Sequence, residues 1–445
     1  MRGRTNWTRR TALLGGAGLL AGCSTFDDLF GEAKTKLPGE RRSILTARRE
    51  LAADPALAGQ PLLLPPAADR ADWPQPGGNV AHSPGHAALA GQPAEAWRAS
   101  AGTGSGYRRR ITAGPVVAEN TVFTVDAYGV VSAFDLAGGG RRWRFDTRPE
   151  EDSTGAVGGG CSHDQGLLFV ATGMAELLAL NPADGQPRWR KRLAAPARGA
   201  PAVAGGRVFV PTIDNQLLAF SAEDGRALWN YRAQAATAVP LGLPAPAVQD
   251  DFLVAGFPSG ELVAMRPADG QLLWSESLAG QGLGGLGEIT GIRGLPVIQD
   301  GRVYAMGMGG TSMAVDLRSG RRLWEREVGG TETPLPVGDW LFLIGASGEL
   351  LALGREDGRI RWITDLNAPP PGQERRDEPA SFAAPILAGG RLILPSSAGE
   401  ALLVDPAEGT VSGRLRLRGP ATLPGAVAQA TLLLLDDDGT LMAFR

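Results

Sequence analysis

The sequence predicts an all-β fold: an eight-bladed β-propeller of four-stranded antiparallel blades, closed by an N-terminal strand that completes the C-terminal blade. Three observations predict it. First, a unit with a fixed internal spacing recurs seven times. Counted from Pro115, Gly129 stands fourteen residues on, Gly139 twenty-four and Trp143 twenty-eight. The same offsets run from Cys161 to Ala175, Gly185 and Trp189, from Pro201 to Asn215, Gly225 and Trp229, and from Pro246 to Gly260, Gly270 and Trp274. They run from Pro296 to Gly310, Gly320 and Trp324, from Pro334 to Gly348, Gly358 and Trp362, and from Pro385 to Gly399, Gly409 and Gly413. Second, every unit reads as four short strands. Third, the chain ends on a truncated eighth unit, while a Trp of the same kind stands alone upstream of the first.

Within a unit, the anchor opens an apolar segment such as "PVVAENTVFTV", which a short turn breaks into two strands. The residue at offset fourteen is Gly or Asn in all units but one, the preference of a turn position with φ > 0, and Ala175 predicts a differently shaped turn there. A third strand follows with period-two alternation, as in "GELVAMR". The Gly at offset twenty-four, usually within Asp-Gly or Glu-Gly, makes a second tight hairpin. The Trp then falls on the fourth strand. Repeats of this length with four strands each describe propeller blades.

The eighth unit starts near Gly425, has its turn at Gly439, and would need a Trp eight residues beyond Arg445. "AWRAS" around Trp97 matches "RWRFD" and "LWNYR", so the strand at Trp97 is expected to pair with the C-terminal three and remove an exposed sheet edge. Residues 93–445 are therefore the propeller. Trp97, Trp143, Trp189, Trp229, Trp274, Trp324 and Trp362 are expected to pack from each blade onto its neighbour, since a bound ligand needs one site and these rings are distributed around the circle.

The N-terminus is a separate message. Arg2, Arg4, Arg9 and Arg10 precede the apolar run Thr11–Ala21, which is too short to span a bilayer. "LAGC" ends it at Cys23. Residues 1–22 read as a signal peptide, with Arg9-Arg10 a partial twin-arginine match. Residues 23–92 show no strong period and are rich in Pro, Ala and Gly. They are expected to be a lead-in and tether with a coil-like reach of about 45 Å, dispensable for the ring as far as about Gly77.

Composition excludes other classes. Formal net charge is −3, and removing the four arginines among residues 1–22 brings it to −7, which is no phosphate-binding signature. With two Cys, at 23 and 161, a disulfide framework is excluded. "CSHD" invites a nucleophile–base reading, but neighbours on a strand point to opposite faces, so Cys161 and His163 make no dyad. His82 and His86, four apart across "SPG", lack the helix a two-His metal pair would use. The connections between units vary from 10 to 23 residues while the units keep their length. Variable loops on a rigid scaffold are where binding is built. The longest are Ser275–Leu295 and Ile363–Ala384.

"ADGQPRW", "EDGRALW" and "SGRRLW" resemble the repeat of pyrroloquinoline quinone (PQQ)-type propellers, and "DWPQPGGNVAHSPG" resembles their lead into the first blade. Two classes share these repeats: quinoprotein dehydrogenases and the BamB family of outer-membrane assembly lipoproteins. The resemblance to BamB also covers "LAGC", similar to a lipobox, and the total length. It implies that Cys23 is lipidated, that the lipid alone holds the protein to the periplasmic face of the outer membrane, and that the chain is a non-enzymatic scaffold. The implied partners are BamA, through its POTRA domains, the rest of the β-barrel assembly complex, and unfolded outer membrane protein clients. No nucleic acid is expected.

The alternatives are a PQQ-dependent dehydrogenase and a generic protein-binding propeller of the periplasm. The dehydrogenases use an adjacent Cys pair and a Ca²⁺ held by clustered carboxylate and amide side chains, and neither is present here. No catalytic residue, no metal and no cofactor, PQQ and Ca²⁺ included, is expected. The BamB family makes its partner contact with an aliphatic-plus-Arg segment before the fourth anchor and an Asp pair before the fifth. Here the first segment offers Val239, Leu241 and Leu243, expected to be exposed in a loop, without an Arg, and the second offers Glu288 and Arg293 with Gly291 and Arg293 at the acidic positions. These five residues are the candidate partner contacts.

Overall fold

In blade one the anchor is followed by an inner strand of small and β-branched residues buried on both faces, Val116–Ala118. A two-residue turn, Glu119 and Asn120 with φ of 51° and 58°, returns the chain into Thr121–Val125. Positive φ at both central residues matches the twist of the flanking strands, which is why so short a turn works. Val130–Asp135 and Arg141–Asp146 complete the blade, with alternate outer residues in solvent. The computed structural model describes residues 51–445 except 108, 150–157, 237, 279–290, 371 and 373. The described residues form eight such four-stranded antiparallel sheets. The inner strands of successive blades approach one another, so the sheets stand as blades around a common axis.

The eighth sheet combines the two ends of the chain. Ala426–Ala428, Thr431–Leu435 and Thr440–Phe444 are joined on the outside by Glu95–Ser100. Trp97 pairs with Ala443 and Ser100 with Thr440. The ladder continues past the strand ends, with Ala94 and Arg445 exchanging backbone bonds of 2.7 and 2.9 Å.

All eight residues at offset fourteen have positive φ, from 59° to 104°. Ala175, at 59°, belongs with them, so its turn is not differently shaped. Here an Ala adopts the left-handed conformation that a Cβ disfavours by about 1–2 kcal/mol. Ala175→Gly is therefore expected to raise unfolding free energy by about 0.5–1 kcal/mol, read as a higher denaturation midpoint at unchanged slope.

The Trp residues staple blade to blade. Each indole N–H donates to a carbonyl on the following blade: Trp97 to Leu136 at 3.0 Å, Trp143 to Pro182 at 2.8 Å, Trp189 to Ala222 at 3.1 Å and Trp229 to Pro267 at 3.0 Å. Trp274, Trp324 and Trp362 reach Leu317, Arg355 and Pro406 in the same way. The ring lies flat on the next blade's glycine at offset twenty-four. A methyl on Gly185, for example, would come 2.6 Å from the Trp143 ring, and its φ of 74° already favours glycine. That position thus answers to two constraints, a turn and a neighbour's indole.

Blade seven carries Gly413 where the others carry Trp. The blade it faces is the eighth, whose third and fourth strands come from opposite ends of the chain and share no hairpin. There is no turn glycine to stack upon, and Leu403 fills the space instead, its Cδ1 3.2 Å from where a Cβ on Gly413 would sit. Seven staples hold seven of the eight interfaces, and the seam between blades seven and eight has none.

The coil expected through residue 92 is corrected from residue 52 on, since Ala52–Arg445 form one unit. The lead-in crosses the face that carries the turns between first and second strands and touches every blade. Asp54 N–H donates to Ile360 O of blade six at 2.7 Å, and Gln429 N–H of blade eight donates to Arg70 O. Trp73 and Val117 of blade one exchange bonds of 2.8 Å, and His163 of blade two donates its N–H to Pro74 O at 2.8 Å. Gln75 brackets Val203 of blade three through both amide atoms, at 2.8 and 3.0 Å. Val80 and Ala81 accept from Val248 and Ile298 of blades four and five, and Ala87 donates to Leu387 of blade seven. Trp73, Leu57 and Ala87 are buried. Aperiodic and Pro-rich, the segment has no ladder of its own, but its prolines reduce the entropy lost on docking, and the blade ends supply its hydrogen bonds. The signal peptide and Cys23 lie outside the described residues.

Candidate functional site

The lead-in covers one face of the ring. The opposite face carries the turns between second and third strands and the connections from each blade to the next, and the candidate contacts lie there. Leu241 is 49% exposed, Val239 is half-buried, and Leu243 is 5% exposed. The expectation of three exposed aliphatic side chains is thus corrected at Leu243. Its N–H donates to Arg198 O at 3.2 Å, and its carbonyl lies against Gly199, so it is wedged against the connection that enters blade three. Glu288 lies outside the described residues.

The fold brings Arg293 to Leu241. Its Nε donates to Leu241 O at 3.3 Å, and its Nη1 to Glu332 Oε1 at 2.8 Å. Glu332, 12% exposed in its side chain, also accepts the Thr331 hydroxyl on Oε1 and the Ala384 N–H on Oε2, at 2.9 and 3.0 Å. One ion pair therefore ties together the connections entering blades four, five, six and seven. Arg293 is a strut of the face as well as part of its surface. Glu332 was not singled out from the sequence; the available signal was an acid in the shortest connection, two residues before its anchor. Beside the pair lies a cavity of about 410 Å³, lined by Arg293, Glu332, Ile344, Ser347, Asn367 and Phe382 among others. The central passage is lined by residues just before the anchors, such as Thr112, Leu243, Thr333 and Leu423, with Pro76 of the lead-in against it.

The groups that could have carried chemistry are engaged elsewhere. Burial pushes the Cys161 thiol up to about 12, so it holds its proton and is no nucleophile. Beside it, Ser162 Oγ donates to Pro201 O at 2.6 Å, and His163 Nε2 lies 3.4 Å from Glu119 Oε1 on blade one. His82 is buried with Nδ1 2.7 Å from Pro296 O, and burial lowers its pKa to about 4. His86 Nδ1 is 2.8 Å from Pro65 O, and its Nε2 accepts the Gly390 N–H at 2.9 Å. These two histidines fasten the lead-in to blades five and seven. Among the described residues, no three His, Cys, Asp or Glu side chains are placed to hold a metal ion. A quinone bearing several carboxylates needs several cations. Among the described residues, the passage and its adjoining cavity offer Arg293, already neutralised by Glu332, and these residues do not fit such a cofactor.

A family model described as outer membrane protein assembly factor BamB matches residues 127–364. The assembly factor BamB of Salmonella typhimurium is 29% identical over 360 residues, covering 79% of this chain and 88% of that protein. Among solved structures, BamB of Moraxella catarrhalis aligns with a TM-score of 0.64 at 18% identity, over 80% of this chain and 98% of that one. The quinohemoprotein alcohol dehydrogenase of Comamonas testosteroni gives a TM-score of 0.65 at 13% identity, over 85% and 81%. Backbone similarity alone thus establishes the propeller and does not separate assembly factor from dehydrogenase. The sequence match does, and together with the eight blades it places this chain in the BamB family of outer membrane protein assembly factors.

Proposed function

We propose that this protein is a lipid-anchored, non-enzymatic scaffold of outer membrane β-barrel assembly. Its anchor is Cys23, and its place is the periplasmic face of the outer membrane. It binds the POTRA domains of BamA, with the other subunits of the assembly complex, and assists unfolded barrel clients. The observation that carries the reading is the open face, where the exposed Leu241 sits over the Arg293–Glu332 pair while the opposite face is filled by the chain's own lead-in. An exposed aliphatic side chain on a rigid, ion-paired base suits the centre of a protein contact.

The test is purification of the full chain from detergent-solubilised membranes. BamA is expected among the co-purifying proteins, and its absence would sink the proposal. Leu241→Asp is expected to reduce BamA recovery at least tenfold with thermal unfolding unchanged, since an interface anchor contributes about 2 kcal/mol or more. Leu243→Ala separates contact from packing. Buried as it is, its loss costs about 2–4 kcal/mol of stability and lowers the unfolding temperature. Equal BamA recovery with wild type and Leu241→Asp would remove the open face from the contact.

A further inference from the structure

The unstapled seam between blades seven and eight carries a second irregularity. In blade one, the turn between second and third strands is held by Asp126. Its Oδ1 accepts the N–H groups of Tyr128 and Val130, and its Oδ2 accepts the N–H of Thr103, all at 2.9 Å. Thr103 belongs to the connection arriving from the preceding blade, and its carbonyl accepts the Ala127 N–H. Blade eight repeats this with Asp436, whose Oδ1 accepts the Thr440 N–H at 2.6 Å. The arriving connection again accepts from the turn, Asp437 N–H to Pro420 O at 2.7 Å. In the place of Thr103, however, stands a proline, which has no N–H to give. Asp436 is fully buried, and its Oδ2 has no hydrogen-bond partner.

The neighbours sharpen the problem. Asp438 Oδ2 lies against the same Gly419 Cα as Asp436 Oδ2, and a Cβ on Gly419 would collide with the one and sit 3.3 Å from the other. Asp437 accepts the Thr422 hydroxyl; burial raises its pKa too, with Arg110 opposing the rise and the Asp438 charge adding to it. Arg418, from the arriving connection, is turned outward to Glu95. Asp126 lies beyond Gly102 and Thr103 on blade one. The Asp438 N–H and the Thr440 hydroxyl add to the Thr440 N–H in holding the Asp436 carboxylate, but none of these groups brings a positive charge, and Oδ2 itself has no partner.

We propose that the seam between blades seven and eight is a proton-operated latch, in which buried Asp436 takes up a proton and thereby closes the ring more tightly. Protonation removes the buried charge that lacks its donor and the repulsion from Asp438. It acts at the one interface that no Trp holds. Burial first, and then the Asp438 charge, raise the Asp436 pKa above the ordinary carboxylate range. The sign follows. A carboxyl whose folded pKa is raised contributes stability that is fully present below its unfolded pKa of 3.8 and is lost as pH rises through the folded value.

The experiment is thermal unfolding of the ring from pH 8 to pH 4, comparing wild type with two variants. Asp436→Asn keeps the shape and carries no charge. It is expected to unfold about 2 °C above wild type at pH 8, with the difference closing toward pH 4. Pro420→Ala restores the missing N–H, and its unfolding temperature relative to wild type is likewise expected to fall as pH falls. In the Pro420→Ala background, Asp436→Asn should lose its pH-dependent advantage. Offsets that stay parallel across the pH range, for either single variant, would overturn the latch. Should Asp436→Asn fail to fold, the Pro420→Ala curve alone decides.

Discussion

Removing the strand Pro93–Ser100 is expected to lower the unfolding temperature by 10 °C or more and to broaden the transition, while Trp97→Ala alone costs about 4 kcal/mol, or roughly 5 °C for a ring of this size. The strand supplies the outer edge of blade eight, pairing from Glu95 to Ser100 against Phe444 to Thr440. Trp97 supplies the staple to blade one through Leu136 O and the Gly139 turn. Without it, the interface between blades eight and one would join that between seven and eight as a second unstapled seam, and the edge of Thr440–Phe444 would be open to other strands. The measurement is calorimetry on the purified ring beside Trp189→Ala, which removes an interior staple and leaves the ends of the chain joined. An unchanged transition after deletion of Pro93–Ser100 would mean that the ring does not depend on its terminal strand.

Removing the lead-in as far as Gly77 is expected to destabilise the ring by several kcal/mol, the reverse of what a free tether would do. That cut removes Trp73, 3% exposed, with its two bonds to Val117, and Gln75 with its two bonds to Val203. Trp73→Ala alone should cost about 3–5 kcal/mol, as large-to-small changes in a packed site do. Because the removed part touches blades six, eight, one, two and three, its loss should also speed hydrogen exchange at amides far apart in sequence, such as Val117, His163, Val203 and Gln429. Exchange that quickened at Val117 alone would show a local contact and not a tie across the face.

The ring was legible because its determinants are local and repeated. A glycine at a turn with φ > 0, alternate burial along a strand and a Trp at fixed offset are each set within a few residues, and seven copies reinforced one another. Even the closure could be read, since a lone Trp97 upstream and a missing one downstream are the two halves of one blade. Ala175 was misread for the same local reason. The rule that favours Gly was sound, and the packed strands on either side hold an Ala in the left-handed conformation regardless.

The candidate site was less legible. Its residues could be named from the connections before blades four and five, but the burial of Leu243 and the engagement of Arg293 by Glu332 depend on residues tens of positions apart. No periodicity records such a pair. The lead-in was missed similarly: without a repeat of its own it reads as coil, and its order comes from blade ends that exist only once the ring has closed. The sequence by itself determined the number of blades, the strands within each and the way the ends meet, because period and turn chemistry act over short range. Tertiary structure alone decided which glycines serve a neighbour's Trp, why Gly413 needs none, which face is filled and which carboxylate is left without a donor. Those are properties of surfaces brought together, and the physical reason is that burial and hydrogen-bond satisfaction are settled between elements and not within them.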